Sequence, residues 1–235
     1  MRKEIKFGSV LAPFGNLSDR YVISGYKKVV PVVDMLKHAA KLEGLDGIEL
    51  VGTWHVDDKN LNDIKKTIKE LGLTVSCIVP DIWAQAKWGR GSFSVAHEPT
   101  RNEAIGEVKR AMDFAAELDC QFVDIWLGQD GYDYPFQTDY ISAWDNIVRS
   151  LRECLDYRRD VKLLIEYKIK EPRTHCFIGT VGKTLLLINE LDRENLGALV
   201  DVGHAWMAYE NVAESIALLK RYGDRLWYMH FNDKA

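Results

Sequence analysis

Short apolar runs alternate with amphipathic stretches from one end of this chain to the other, and no other feature constrains its fold as tightly. The runs are Ile5–Leu11, Gly47–Val51, Thr74–Val79, Phe122–Trp126, Lys162–Tyr167, Ala198–Val202 and Leu226–Phe231. Strands alternating with helical patterns mark βαβ units, and parallel strands buried on both faces read as nearly continuous apolar runs. The stretches between them carry helical punctuation. Thr100 and Glu103, just after Pro99, have the T-x-x-E spacing of a capping box, followed by Val108, Met112, Ala115 and Leu118 at helical spacing. Ile141, Trp144, Val148, Leu151 and Leu155 form a second apolar stripe behind Thr138, while Gly44 and Gly72 stand where helix C-caps are expected.

Composition narrows the class. With 235 residues, 47% hydrophobic and 28% charged, the chain can build one sizeable core, so a single domain over residues 1–235 is expected. The net charge is −4 with lysines and acids intermixed, which leaves no basic stripe for nucleic acid and favours a small neutral ligand. Cys77, Cys120, Cys154 and Cys176 are widely spaced and form no C-x-x-C pair, so they read as reduced packing residues. No segment has the long apolar core of a signal peptide or membrane span, and a cytoplasmic protein without membrane contact is expected.

Three of the later runs end in acids or imidazoles: Glu166 and Lys168 in LLIEYKIKEPR, Asp201 and His204 in LVDVGHA, and His230 in LWYMHFND. Such groups are costly beside apolar strands unless their charge is compensated, and their recurrence at successive strand ends points to one shared site. A (β/α)8 barrel gathers the C-terminal ends of its strands around one mouth, whereas an open sheet would keep them apart. The expected fold is therefore a TIM (β/α)8 barrel with about seven of its eight βα units present, its last helices and strand eight missing because the sequence stops at Ala235. Edges left open in this way favour association.

An isolated E-x-K is ordinarily a structural ion pair. Here Glu166 and Lys168 share one side of a strand, and Asp201, His204 and His230 follow in the next units, with Gly203 expected to let His204 turn into a loop beside Asp201. A mixed oxygen and nitrogen donor set of this kind suits a divalent metal: Mn2+, Mg2+, Co2+ or Zn2+. Gly179-Thr180-Val181-Gly182-Lys183-Thr184 ends like a phosphate loop, but Phe177 occupies the first glycine position, so Thr180 reads as a helix cap. His38, His97 and His175 have no supporting pattern and are expected at the surface.

The run Glu166-x-Lys168-x-x-Glu171-Pro172-Arg173 resembles the E-x-K-x-x-E-P-R segment of xylose isomerases, and through it the chain resembles the xylose isomerase-like barrel superfamily of sugar isomerases and epimerases. Trp54-His55-Val56-Asp57-Asp58 resembles the family's F-H-x-x-D, Gly91-Ser92-Phe93 a sugar-pocket loop, and Trp126-Leu127-Gly128-Gln129-Asp130-Gly131 the stretch after strand four. Two departures stand out. Asp201 replaces a glutamate, and His230-Phe231-Asn232-Asp233 is similar instead to the H-x-N-D of rhamnose isomerases and tagatose 3-epimerase-like proteins.

The resemblance implies a metal-dependent enzyme interconverting an unphosphorylated aldose and ketose. Glu166, Asp201 and His230 would hold one ion, Mn2+ first among the candidates, and Asp201 with His204 would contribute to a second. Lys168 would contact the substrate oxygen, His55 oriented by Asp58 would open the sugar ring, and Phe93 and Trp126 would line the pocket. A homo-oligomer acting on a monosaccharide, with no nucleic-acid partner, is implied as well. The alternatives are a metal-dependent ketose 3-epimerase, using Glu166 and a carboxylate from strand eight, and a catalytically silent sugar-binding barrel fragment.

Overall fold

The computed structural model describes residues 5–19 and 21–232. Among them, nine strands and seven α-helices follow in the order β1 (Gly8–Val10), α1 (Val32–Ala39), β2 (Gly47–Val51), α2 (Leu61–Leu71), β3 (Thr74–Val79), α3 (Glu98–Glu117), β4 (Phe122–Trp126), β5 (Gly131–Tyr132), α4 (Tyr140–Tyr157), β6 (Lys162–Glu166), β7 (His175–Cys176), α5 (Val181–Leu191), β8 (Leu196–Asp201), α6 (Val202–Met207), α7 (Val212–Arg221) and β9 (Leu226–His230). Seven strands form one parallel sheet in the order β1-β2-β3-β4-β6-β8-β9, while β5 and β7 pair as a small antiparallel ribbon above it. This is the α/β, TIM-barrel-like architecture expected, an open barrel with β1 and β9 as its edges. Asp233 of the H-x-N-D run lies outside the described residues.

Local chemistry explains the helix boundaries. Asp139, one residue after Thr138, caps α4 by accepting the N–H groups of Ile141 and Ser142, and Thr180 caps α5 by accepting that of Lys183. Gly72 closes α2 with φ of 69°, a left-handed conformation that favours glycine. Gly44 falls instead in the turn beyond α1, whose C-cap is Ala40. The capping box at Thr100 and Glu103 does not form. Helix α3 begins two residues earlier, with Pro99 in its first turn; Thr100 meets the His97 ring, and Glu103 pairs with Lys87. The first strand is also shorter than its apolar run, since Ile5 and Phe7 are exposed outside the ladder.

The interior of the barrel is layered. Leu164 and Glu166, Leu199 and Asp201, and Tyr228 and His230 are each two residues apart on a strand, so each pair points to one face. Cys77, Leu164 and Leu199 pack with Phe122 and Tyr228 into an inner apolar layer, and the polar partners stand above it. Contacts across the barrel hold its curvature: Tyr228 Oη donates to Ser76 Oγ at 2.9 Å, and His230 on β9 reaches Glu49 on β2 at 3.0 Å. The four cysteines are free and buried, as packing residues should be.

Candidate metal centre

Glu166 ends β6, Asp201 ends β8, and His204 lies one turn into α6, which follows β8 without a loop. Asp201 is the N-cap of that helix: its Oδ1 accepts the His204 N–H at 2.8 Å. A loop carrying His204 was expected, with Gly203 supplying the turn; the acid supplies it instead, by capping a helix whose first turn presents the imidazole. Asp201 Oδ2 in turn accepts from Asn232 Nδ2 at 2.5 Å, which fixes the plane of the carboxylate.

These three buried side chains offer one ligand atom each, all within 4.8 Å of one another. Ligand atoms at 2.0–2.2 Å from an ion stand roughly 3 to 4.4 Å apart, so a group gathered within 4.8 Å is close to the spacing a shared ion requires. His204 Nδ1 lies 3.1 Å from Glu166 Oε1, and this buried nitrogen has no hydrogen-bond partner among the described residues. An orphaned imidazole nitrogen facing a carboxylate oxygen is what a cation between them would satisfy. The donor set therefore fits a divalent metal.

His230 flanks this group. Its Nδ1 is 3.5 Å from Glu166 Oε1 and its Nε2 is 3.0 Å from Glu49 Oε2. Among the described residues the structure gathers Glu166, Asp201 and His204 most closely and sets His230 beside Glu166.

Electrostatics follow from burial. Loss of water alone would raise Glu166, but the rings of His230 and His204 hold its carboxyl well below the usual carboxylate range. Burial alone would lower His230, and the carboxylates of Glu49 and Glu166 more than reverse that, leaving it well above the usual imidazole value. Burial and the negative charge of Glu166 push Asp124 well above its ordinary value. Asp124 Oδ1 is buried without a hydrogen-bond partner among the described residues. Acids buried this close together cost several kcal/mol each unless positive charge is brought among them.

A sequence model of the xylose isomerase-like TIM barrel matches residues 36–235. The chain belongs to this family. Among curated family relatives, xylose isomerase from Thermus thermophilus is 26% identical over 182 residues, covering 75% of this chain and 47% of that protein. The chain thus spans about half the length of the curated relatives it matches. Among solved structures, a D-tagatose 3-epimerase-like protein superposes with a TM-score of 0.74 at 20% identity, covering 98% of this chain and 77% of the other. A D-psicose 3-epimerase from Clostridium cellulolyticum H10, solved with D-tagatose, gives 0.74 at 18% identity, with 97% and 73% covered. At these identities the likeness shows the fold.

Against this family background, the accessory residues divide. Lys168 and Glu171 form a buried ion pair, and Lys168 Nζ also lies 5.3 Å from the centre of the Trp126 ring. Trp126 continues an aromatic wall through Trp83 at 4.9 Å and Trp54 at 5.3 Å, contributed by the ends of β4, β3 and β2. Trp54 Nε1 is anchored on Asp81 at 2.9 Å, whereas the buried Trp83 Nε1 has no hydrogen-bond partner among the described residues. Phe93 is fully buried and presents no surface to a ligand in this conformation. Its loop is held by Asp130, which accepts from the Ser92 and Ser94 amides and from Ser92 Oγ.

His55 is buried with its Nδ1 accepting the Val51 N–H at 2.9 Å, and no hydrogen bond joins it to Asp58 among the described residues. The neighbouring Asp57 turns instead to the amides of Lys59 and Asn60. His38, His97 and His175 are exposed, as expected. No helix among the described residues is long and apolar enough to cross a membrane.

Two residues escaped the sequence reading altogether. Glu49 and Asp124 are buried acids in the middle of apolar strands, GIELV and FVDIW. The signal they leave in the sequence is an acid inside a five-residue apolar run, away from the strand end.

Proposed function

We propose that this chain carries the metal-binding part of a sugar isomerase site that interconverts an unphosphorylated aldose and ketose. The observation that carries the reading is the convergence of Glu166, Asp201 and His204 within 4.8 Å, buried, with the His204 Nδ1 unsatisfied among the described residues. A bound divalent ion supplies Lewis-acid polarisation of a carbonyl and fixes neighbouring hydroxyls. Glu166 and Asp201 provide the anionic oxygens for it, and His204 with His230 the nitrogens.

Lys168, held in place by its ion pair with Glu171, brings an ammonium charge to a substrate oxygen whose negative charge grows as hydrogen moves between adjacent carbons. The wall of Trp126, Trp83 and Trp54 gives the apolar face of a pyranose or open-chain sugar a surface to lie against and excludes water. In this reading Asp201 is oriented from two sides, by the α6 backbone and by Asn232, so its position does not depend on substrate.

A second reading is supported by the residues of the H-x-N-D run, since His230 stands beside Glu166 and Asn232 bonds Asp201: a ketose 3-epimerase with Glu166 as one of its proton-transferring carboxylates. Incubating the Mn2+-loaded protein with matched aldose–ketose pairs, and separately with ketoses differing at C3, distinguishes them by product chromatography. Aldose–ketose interconversion supports the leading reading, C3 epimers alone support the second, and no product from either substrate set refutes both.

A further inference from the structure

Glu49 has no place in the ligand set, yet it is the acid most firmly tied to it. It sits in β2, whose five residues are all buried, and is itself only 4% exposed. An apolar residue would serve folding better at such a position, since a buried carboxylate costs several kcal/mol unless paired. The hydrogen-bond partner of its carboxylate among the described residues is His230, with Glu49 Oε2 3.0 Å from Nε2. The other nitrogen of that ring, Nδ1, faces Glu166 Oε1 at 3.5 Å.

The two ring nitrogens are therefore addressed differently. A carboxylate can only accept, so Nε2 carries a hydrogen toward Glu49; a neutral imidazole then has its lone pair on Nδ1, on the side where Glu166 stands. Position matters as well as protonation. Among the described residues β9 has a ladder only to β8, so Glu49, reaching from β2 across the barrel, adds an anchor to the one that Ser76 gives Tyr228.

We propose that Glu49 is a positioning residue for the metal centre, which accepts the Nε2 hydrogen of His230 and thereby aims the Nδ1 lone pair of that ring at an ion shared with Glu166. This rests on the metal-binding reading given above. Carboxylate partners of ligating histidines fix ring tautomer and raise ligand basicity, and their loss typically weakens metal affinity 10- to 100-fold.

The test is Mn2+ binding, followed as loss of the free-ion electron paramagnetic resonance signal, in the wild type, Glu49→Ala, Glu49→Gln and Ser76→Ala. Glu49→Ala should weaken binding roughly 10- to 100-fold. Glu49→Gln, whose amide oxygen still accepts from Nε2, should fall between it and the wild type. Ser76→Ala, which removes the other cross-barrel contact, should bind Mn2+ like the wild type. In the Zn2+-loaded protein, long-range proton–nitrogen spectra should show His230 protonated at Nε2 in the wild type and Glu49→Gln, and lose that signature in Glu49→Ala.

Binding within twofold of the wild type in both Glu49 variants overturns the role of Glu49 and leaves the metal centre standing. Complete loss of binding in both, without rescue by glutamine, overturns it too, because Glu49 would then be a ligand itself. A wild type that binds no divalent ion overturns the metal centre and this inference together.

Discussion

His55 offers a test whose size can be worked out from the structure. Its Nδ1 accepts the Val51 amide hydrogen, which only a ring with an unprotonated Nδ1 can do. Burial pushes its pKa down from 6.5 to about 4. The unfolded chain, with an ordinary imidazole, therefore binds more protons than the folded one between those two values. The stabilisation is fully present above the unfolded value and is lost as pH falls toward the folded one. The linkage relation puts the loss at about 2 kcal/mol by about pH 5 and about 3 kcal/mol by about pH 4. Urea unfolding of the wild type and His55→Gln across this range isolates the effect, since the other titrating groups are common to both. The expected result is a difference curve that shrinks by about 3 kcal/mol on acidification because glutamine does not titrate. Parallel curves would refute the placement of His55 as a buried, neutral, backbone-bonded ring.

Other expectations concern residues on either side of the site. Asp124 is pushed well above its usual 3.8 by burial and by Glu166, so its contribution is present below that value and lost as pH rises through its folded pKa. In chelator-treated protein Asp124→Asn should remove this loss and flatten the rise of instability toward neutral pH, and an unchanged profile in urea unfolding would count against it. Phe93 is fully buried, so Phe93→Ala should cost about 3–5 kcal/mol of stability. Phe93→Leu should leave KM for a sugar unchanged; a raised KM with unaltered stability would place Phe93 at the substrate after all. Asp139→Ala removes the cap of α4 and should cost about 1 kcal/mol in thermal or urea unfolding.

The strands were legible because parallel strands covered on both faces leave contiguous apolar runs; Gly47–Val51, Thr74–Val79 and Phe122–Trp126 coincide with their runs to the residue. The helix starts were less so. Thr100 and Glu103 matched a capping pattern, but Pro99 suits a first helical turn, and with the helix beginning at Glu98 both side chains found other partners. The same competition moved His204 from a loop to a helix, because Asp201 can cap as well as ligate. Convergence was the least visible property. That Glu49 meets His230, 181 positions away, is set by barrel curvature and register, which a linear reading does not contain. Strand periodicity could still have flagged it: Glu49 and Asp124 break otherwise apolar runs, and in a barrel alternate residues face the interior.

The central claim is that Glu166, Asp201 and the imidazoles beside them form one divalent-metal centre. Its most direct test is a titration of chelator-treated, dialysed protein with Mn2+, counting bound ions for the wild type and Glu166→Gln. The account predicts saturable binding of a single ion by the wild type and its loss in Glu166→Gln. No binding by a folded wild type, or equal binding by both proteins, would contradict it.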